Sequence, residues 1–197
     1  MGDSQTMRLT NRYLRRILFL AITIILGARH ATAQIAPYAM FSAGHYSGLG
    51  VGNGTGPNQS GGMTALGGTI GLYDDFVHLG PARLGADFRT IIENSSNSTP
   101  NGNKILGGMV GARIDAGGVP LLPFNPYFQA EIGAVGTNNG TSPTRTASFA
   151  YQFQFGSDFS IFPHLAIRAE YGAGQLSTSG NTNHTLQTFG TGLVIRL

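Results

Sequence analysis

The chain has 197 residues, 41% of them hydrophobic and only 11% charged, with 30 glycines, no tryptophan and no cysteine. The lack of cysteine excludes a disulfide scaffold, a thiolate metal site and a lipid-modified cysteine, while leaving export open. Five of the twelve basic residues (Arg8, Arg12, Arg15, Arg16, Arg29) and one of the nine acids (Asp3) lie near the N-terminus, so the formal charge of +3 becomes seven against eight, or −1, once that stretch is set aside, and no nucleic-acid partner is expected.

The N-terminal stretch reads as an address. Four arginines form a basic leader, Ile17 to Gly27 is an apolar run, and Ala31-Thr32-Ala33 offers an A-x-A cleavage site. Residues 1–33 are therefore expected to be a cleaved signal peptide and residues 34–197 the mature domain. As an anchor the run falls well short of the roughly 20 residues a spanning helix needs.

Strand-like segments then follow from Pro37 to Ser47, Met63 to Tyr73, Arg83 to Ile92, Lys104 to Asp115, Tyr127 to Val135, Ala147 to Gly156, His164 to Leu176 and Leu186 to Leu197. Glycines within many of them argue against helices. The second can turn Thr64, Leu66, Ile70 and Leu72 outward, whereas the pattern from Tyr38 to Tyr46 leaves the face of the first open. The third sets Leu84, Ala86, Phe88 and Ile92 against Arg83, Gly85, Asp87 and Arg89. The fourth sets Leu106, Val110 and Ile114 against Gly107, Gly111, Arg113 and Asp115. The fifth opposes Phe128, Ala130 and Ile132 to Gln129, Glu131 and Gly133. The sixth alternates Phe149, Tyr151, Phe153 and Phe155 with Ala150, Gln152, Gln154 and Gly156. The seventh alternates Leu165, Ile167, Ala169 and Tyr171 with Ala166, Arg168, Glu170 and Gly172. In the eighth, Phe189, Leu193, Ile195 and Leu197 oppose Gly190, Gly192, Val194 and Arg196. A period of two with one bulky apolar face is the pattern of a strand whose two sides meet different surroundings.

The connections alternate in chemistry. Odd ones (Gly48 to Gly62, Asn94 to Asn103, Gly136 to Arg145, Ser177 to His184) are polar and rich in Gly, Asn, Ser and Thr. Even ones (DDFVHLGP, AGGVPLLPFN, SDFSIFPH) carry Phe, Leu, Val and Pro. An up-and-down meander places the two sets at opposite ends, the asymmetry of a barrel with surface loops outside and compact turns in the periplasm. A charge on the lipid face near mid-membrane costs about 2–4 kcal/mol, so Arg83, Asp87, Arg89, Arg113, Asp115, Glu131, Arg168, Glu170 and Arg196 are expected to point inward. Eight strands leave room for side chains but no open pore, so these charges are expected to pair as a lumen ion network. The reading is an all-β fold: an eight-stranded antiparallel up-and-down transmembrane β-barrel, with Tyr38, Tyr46, Tyr73, Tyr127 and Tyr171 as its interfacial aromatic belt.

GSDFSIFPHLAIRAEYGAG resembles the penultimate hairpin of the OmpA-like eight-stranded outer-membrane barrels at Gly156, Asp158, Phe159, Pro163, Leu165, Ile167, Arg168, Glu170 and Tyr171. NPYFQAEIGAVG is similar to that family's preceding Pro-Tyr strand. The resemblance implies a monomer in outer-membrane lipid, assembled by the barrel-insertion machinery. Family barrels usually end on an aromatic residue, whereas this chain ends on Leu197 with the alternation Leu193, Ile195, Leu197 kept; the peptidoglycan-binding domain that many members carry is not expected.

No cofactor, metal or catalytic activity is expected. His45, His78, His164 and His184 lie on separate segments without metal-ligand spacing, and the run GLGVGNGTG lacks the register and terminal Gly-Lys-Ser/Thr of a phosphate loop. A lipid hydrolase would need an oriented Ser and His; His184 with Ser177 or Ser179 is the one pair to weigh against a solvated loop. The expected role is structural or adhesive, with the loops meeting an unknown surface ligand. The alternatives are a small solute or ion channel gated by rearrangement of lumen ion pairs, and a soluble barrel with an apolar ligand site.

Overall fold

The computed structural model describes residues 35–47, 62–95, 103–116, 124–137, 146–178 and 182–197, all within the compact unit Ala33–Leu197. The expected signal peptide and most of the polar loops lie outside the described residues, as does most of the fourth connection. Eight strands form one closed barrel in sequence order: β1 Ile35–Tyr46, β2 Met63–Leu79, β3 Ala82–Ser95, β4 Asn103–Asp115, β5 Phe124–Thr137, β6 Thr146–Phe162, β7 Leu165–Thr178 and β8 Thr182–Ile195. Every neighbouring pair is antiparallel. β1 and β8 close the ring from Tyr38 opposite Val194 to Tyr46 opposite Leu186. Closure removes both sheet edges, so the strand ladders satisfy backbone groups that lipid could not.

Two predicted connections turn out to be mostly strand. β2 runs on to Leu79 and β6 to Phe162, leaving two-residue turns at Gly80-Pro81 and Pro163-His164. The cause is a register shift in each strand, between Asp75 and Val77 and between Ser160 and Phe162. A bulge inserts one residue and moves the apolar positions from even to odd numbers, or the reverse, so a strict period of two ends before the strand does. Gly80 has a φ of 62°. A left-handed first turn residue followed by proline suits a type II′ hairpin.

The outer face is apolar: Phe41, Ile70, Phe88, Val110, Ile132, Phe155 and Leu193 are all exposed. Phe128 and Phe153, diagonal neighbours on β5 and β6, stack at 6.1 Å. A continuous exterior of this kind is foreign to a soluble monomer and suits lipid. It runs against a soluble ligand-binding barrel, which would turn these side chains inward.

The first strand, whose face was open, turns Ala36, Tyr38, Met40, Ser42, Gly44 and Tyr46 inward and Phe41 outward. The aromatic-belt expectation is corrected with it. Tyr38, Tyr46, Tyr73 and Tyr127 are each at most 4% exposed and lie in the lumen, because their hydroxyls meet carboxylates there; among the five, Tyr171 faces outward.

Inward glycines make room for this filling. A Cβ on Gly111 would collide with the Ala130 carbonyl oxygen and with Glu131 Cγ. Gly111→Val is therefore expected to lower stability by about 1–3 kcal/mol or more, measured as the urea midpoint in bilayers, while Gly108→Ala, whose Cβ meets nothing within 4 Å, should be close to neutral.

Candidate functional site

The nine charged residues named from the sequence have their side chains on the inner face, where they meet one another and two further carboxylates, Asp75 and Asp158. Toward the turn end, Arg83 Nη2 lies 3.1 Å from Asp115 Oδ1. Arg113 Nη2 reaches Asp115 Oδ2 at 3.1 Å and Asp158 Oδ2 at 3.4 Å, and Arg113 Nε lies 3.5 Å from Asp75 Oδ1. Arg168 grips Asp158 with two bonds, Nε to Oδ1 at 2.7 Å and Nη2 to Oδ2 at 2.9 Å. Arg196 Nη2 is 3.7 Å from the same carboxylate, and the Tyr73 hydroxyl donates to it at 3.1 Å. Asp158 is thus the common acceptor of this end. The sequence reading placed it in a turn, although the row Gln152, Gln154, Gly156 leads to it by simple parity.

Tyrosine rings complete the packing. Arg168 Cζ lies 4.4 Å from the Tyr38 ring centre and 4.7 Å from those of Tyr73 and Tyr127, while Arg113 Cζ lies 4.1 Å from Tyr73 and 3.8 Å from Tyr127. Desolvated guanidinium groups gain about 2 kcal/mol or more over aromatic faces. Here the rings cover the flat sides of two cations whose edges go to carboxylates.

Farther in, Arg89 is the hub. Its Nε is 2.8 Å from Glu131 Oε1 and 3.1 Å from Asp87 Oδ1, and its Nη1 is 2.6 Å from Glu170 Oε1. Tyr38 donates to Asp87 at 2.8 Å and Tyr127 to Glu170 at 2.7 Å. Gln154 Nε2 donates to Glu131 Oε2 at 3.1 Å, and Gln152 Nε2 to Thr188 Oγ1. Next toward the loop end, Glu93 takes hydrogen bonds from Ser42 Oγ and the Tyr46 hydroxyl, both at 2.8 Å. Glu93 and Asp75 were missed because the predicted strands stopped at Ile92 and Tyr73; continuing the parity would have found both.

The lumen is not polar throughout. At the loop end Tyr46, Met63, Ile91, Ile105, Met109, Val135, Leu176 and Leu186 pack into an apolar layer. Alternation separates inside from outside, but it cannot separate one height of the lumen from another.

His184 and Ser177 do not meet as a catalytic pair would: Ser177 Oγ donates to Asn183 Oδ1 at 3.0 Å, and His184 Nδ1 lies 3.0 Å from the Ser47 carbonyl oxygen. Ser179 lies outside the described residues.

No protein-family model and no curated protein sequence matches the chain. Among solved structures it is similar to Neisserial surface protein A at 14% identity and a TM-score of 0.60, over 83% of this chain and 97% of that one. It is similar to Ail, the attachment invasion locus protein of Yersinia pestis, at 12% identity and a TM-score of 0.50, over 84% and 99%. The outer-membrane enzyme PagL matches at 13% identity and a TM-score of 0.50, over 83% and 99%. At such identities the likeness is one of fold, and the chain has the fold of the OmpA-like eight-stranded outer-membrane β-barrels.

Proposed function

We propose that the mature barrel sits in the bacterial outer membrane as a monomeric, non-catalytic anchor with a closed lumen, displaying polar loops for adhesion or another surface interaction. The observation that carries this reading is Asp158 with its three arginines and Tyr73, a cross-lumen cluster stacked with tyrosine rings. Charges paired in this way fill the space an open pore would need. The apolar exterior supports the membrane location, and the likeness in fold to Ail is compatible with an attachment role. The likeness to PagL is why fold alone does not decide against catalysis; the separate partners of Ser177 and His184 favour the non-catalytic reading.

In planar bilayers the wild type is expected to show no stepwise conductance. Conductance abolished by Arg168→Met or Glu170→Gln would favour the second reading, a small solute or ion channel gated by rearranged pairs. That reading has its own support: Arg113 lies within ion-pair reach of Asp75, Asp115 and Asp158, so its partners can be exchanged without stranding the charge. For the surface role, binding to cells or matrix should fall when the loops are shortened and persist when lumen residues are changed. Equal binding by wild-type and loop-deleted barrels would rule out loop-borne recognition.

A further inference from the structure

The ion pairs divide the lumen unevenly. Among the described residues, Arg83, Arg113, Arg168 and Arg196 join Asp75, Asp115 and Asp158, four cations to three carboxylates. Arg89 alone meets Asp87, Glu131 and Glu170. Glu93, only 2% exposed, has no cation within ion-pair distance among the described residues and is held by two hydroxyl groups. Glu93, when ionised, adds a negative charge that no arginine of the described residues meets. Buried charge left unmatched is costly, so something positive is called for there.

A cavity with room for about one water-sized body lies at this place. Glu93, Glu170, Ser42, Thr69, Gln154 and Thr188 are in its wall. Gln154 is 2% exposed; its amide nitrogen is committed to Glu131 and Gln152, and its oxygen Oε1 has no hydrogen-bond partner among the described residues. Arg89 also borders the cavity, but its guanidinium is committed to three carboxylates and to Gln129. The wall thus offers an unmatched carboxylate, an unused amide oxygen and hydroxyl oxygens around a space the size of one small ion.

We propose that this cavity is a binding site for a single monovalent metal cation, sodium or potassium. Glu93 supplies the charge, and Gln154 Oε1 with the Ser42, Thr69 and Thr188 hydroxyls supplies neutral oxygens that replace water around the ion. Ser42 spends its hydrogen on Glu93 and keeps its oxygen lone pairs for the ion. A divalent ion is less suited, since of the two carboxylates in the wall Glu170 is already paired with Arg89 and Glu93 alone supplies an unpaired charge. The site explains why an eight-stranded lumen keeps a carboxylate without an arginine: the ion completes the charge balance and ties β1, β2, β3, β6 and β8 together.

The test uses the mature barrel folded in phosphatidylcholine bilayers and titrated with sodium chloride or potassium chloride, with choline chloride at equal ionic strength as reference. Tyrosine fluorescence reports the site through Tyr46, which donates to Glu93, and the urea midpoint reports binding by linkage. The expected result is a saturable one-site fluorescence change and a rise in midpoint with one of the alkali ions, neither produced by choline. Glu93→Gln should weaken the affinity by about tenfold or more, Gln154→Met should weaken it less, and Lys104→Gln at an exposed position should leave it unchanged. Identical curves in sodium, potassium and choline would overturn the proposal. So would an infrared band of a protonated carboxyl, removed by Glu93→Gln, that persists at saturating sodium and potassium, because a proton would then balance the charge. Should Glu93→Gln not fold, the wild-type comparison and Gln154→Met decide.

Discussion

Asp158→Ala is expected to destabilise the barrel by about 3–5 kcal/mol, because removing one partner of a buried ion pair leaves the others charged and unsatisfied. The effect should fall at the upper end of that range. Asp158 is fully buried and serves Arg168, Arg113, Arg196 and Tyr73 together, so three donors lose an acceptor and Arg196 loses a counter-charge at once. Asp158→Asn keeps one oxygen for Arg168 and should cost less. The urea midpoint in bilayers, followed by tyrosine fluorescence, measures both. A double-mutant cycle with Tyr73→Phe should show coupling of about 0.5–3 kcal/mol, as contacting residues in one network do. Additive costs would mean that the two side chains do not share a site.

The second large effect belongs to the outside. Ile132→Arg is expected to cost about 2–4 kcal/mol, since Ile132 is 54% exposed in the middle of β5 and its substitute would put a cation into hydrocarbon. The control is Leu79→Arg, similarly exposed at 55% but at the turn end of β2, where about 0–1 kcal/mol is expected. Equal costs at the two positions would show that the exterior does not face a bilayer of graded depth. The neighbour Glu131, one residue away, obeys the opposite rule: its carboxylate faces the lumen, where it pairs with Arg89 and takes a hydrogen bond from Gln154, and an apolar substitute would be the intruder.

These two sites mark the limits of what could be read in advance. Ile132 was assigned to the outer face and Arg168 to the inner one from alternation alone, because the pleat turns successive side chains to opposite sides whatever the rest of the chain does. Asp158 was missed although it lies on the same row as Gln154 and Gly156. The Asp-Phe and Phe-Pro pairs after it read as a turn, and the bulge near Ile161 breaks the alternation that would have continued the strand. Tyr38, Tyr73 and Tyr127 were sent to the interface because tyrosine suits both a lipid boundary and a guanidinium face. Composition cannot choose between those two.

What the sequence determined by itself was the list of faces: which residues could meet lipid, which charges had to turn away from it, and that eight segments separated by loops of alternating chemistry close as a meander. These follow from rules local to one strand and its two ends. The tertiary structure alone decided the partners. Arg89 finds Glu170 across 81 positions of sequence, and Tyr73 finds Asp158 across 85. Such meetings depend on the register of every intervening pair and on two bulges, quantities that accumulate around the ring and leave no mark in any single strand. The same accumulation leaves Arg89 with three carboxylates and Glu93 with none of the arginines, an imbalance that exists only once the barrel is closed.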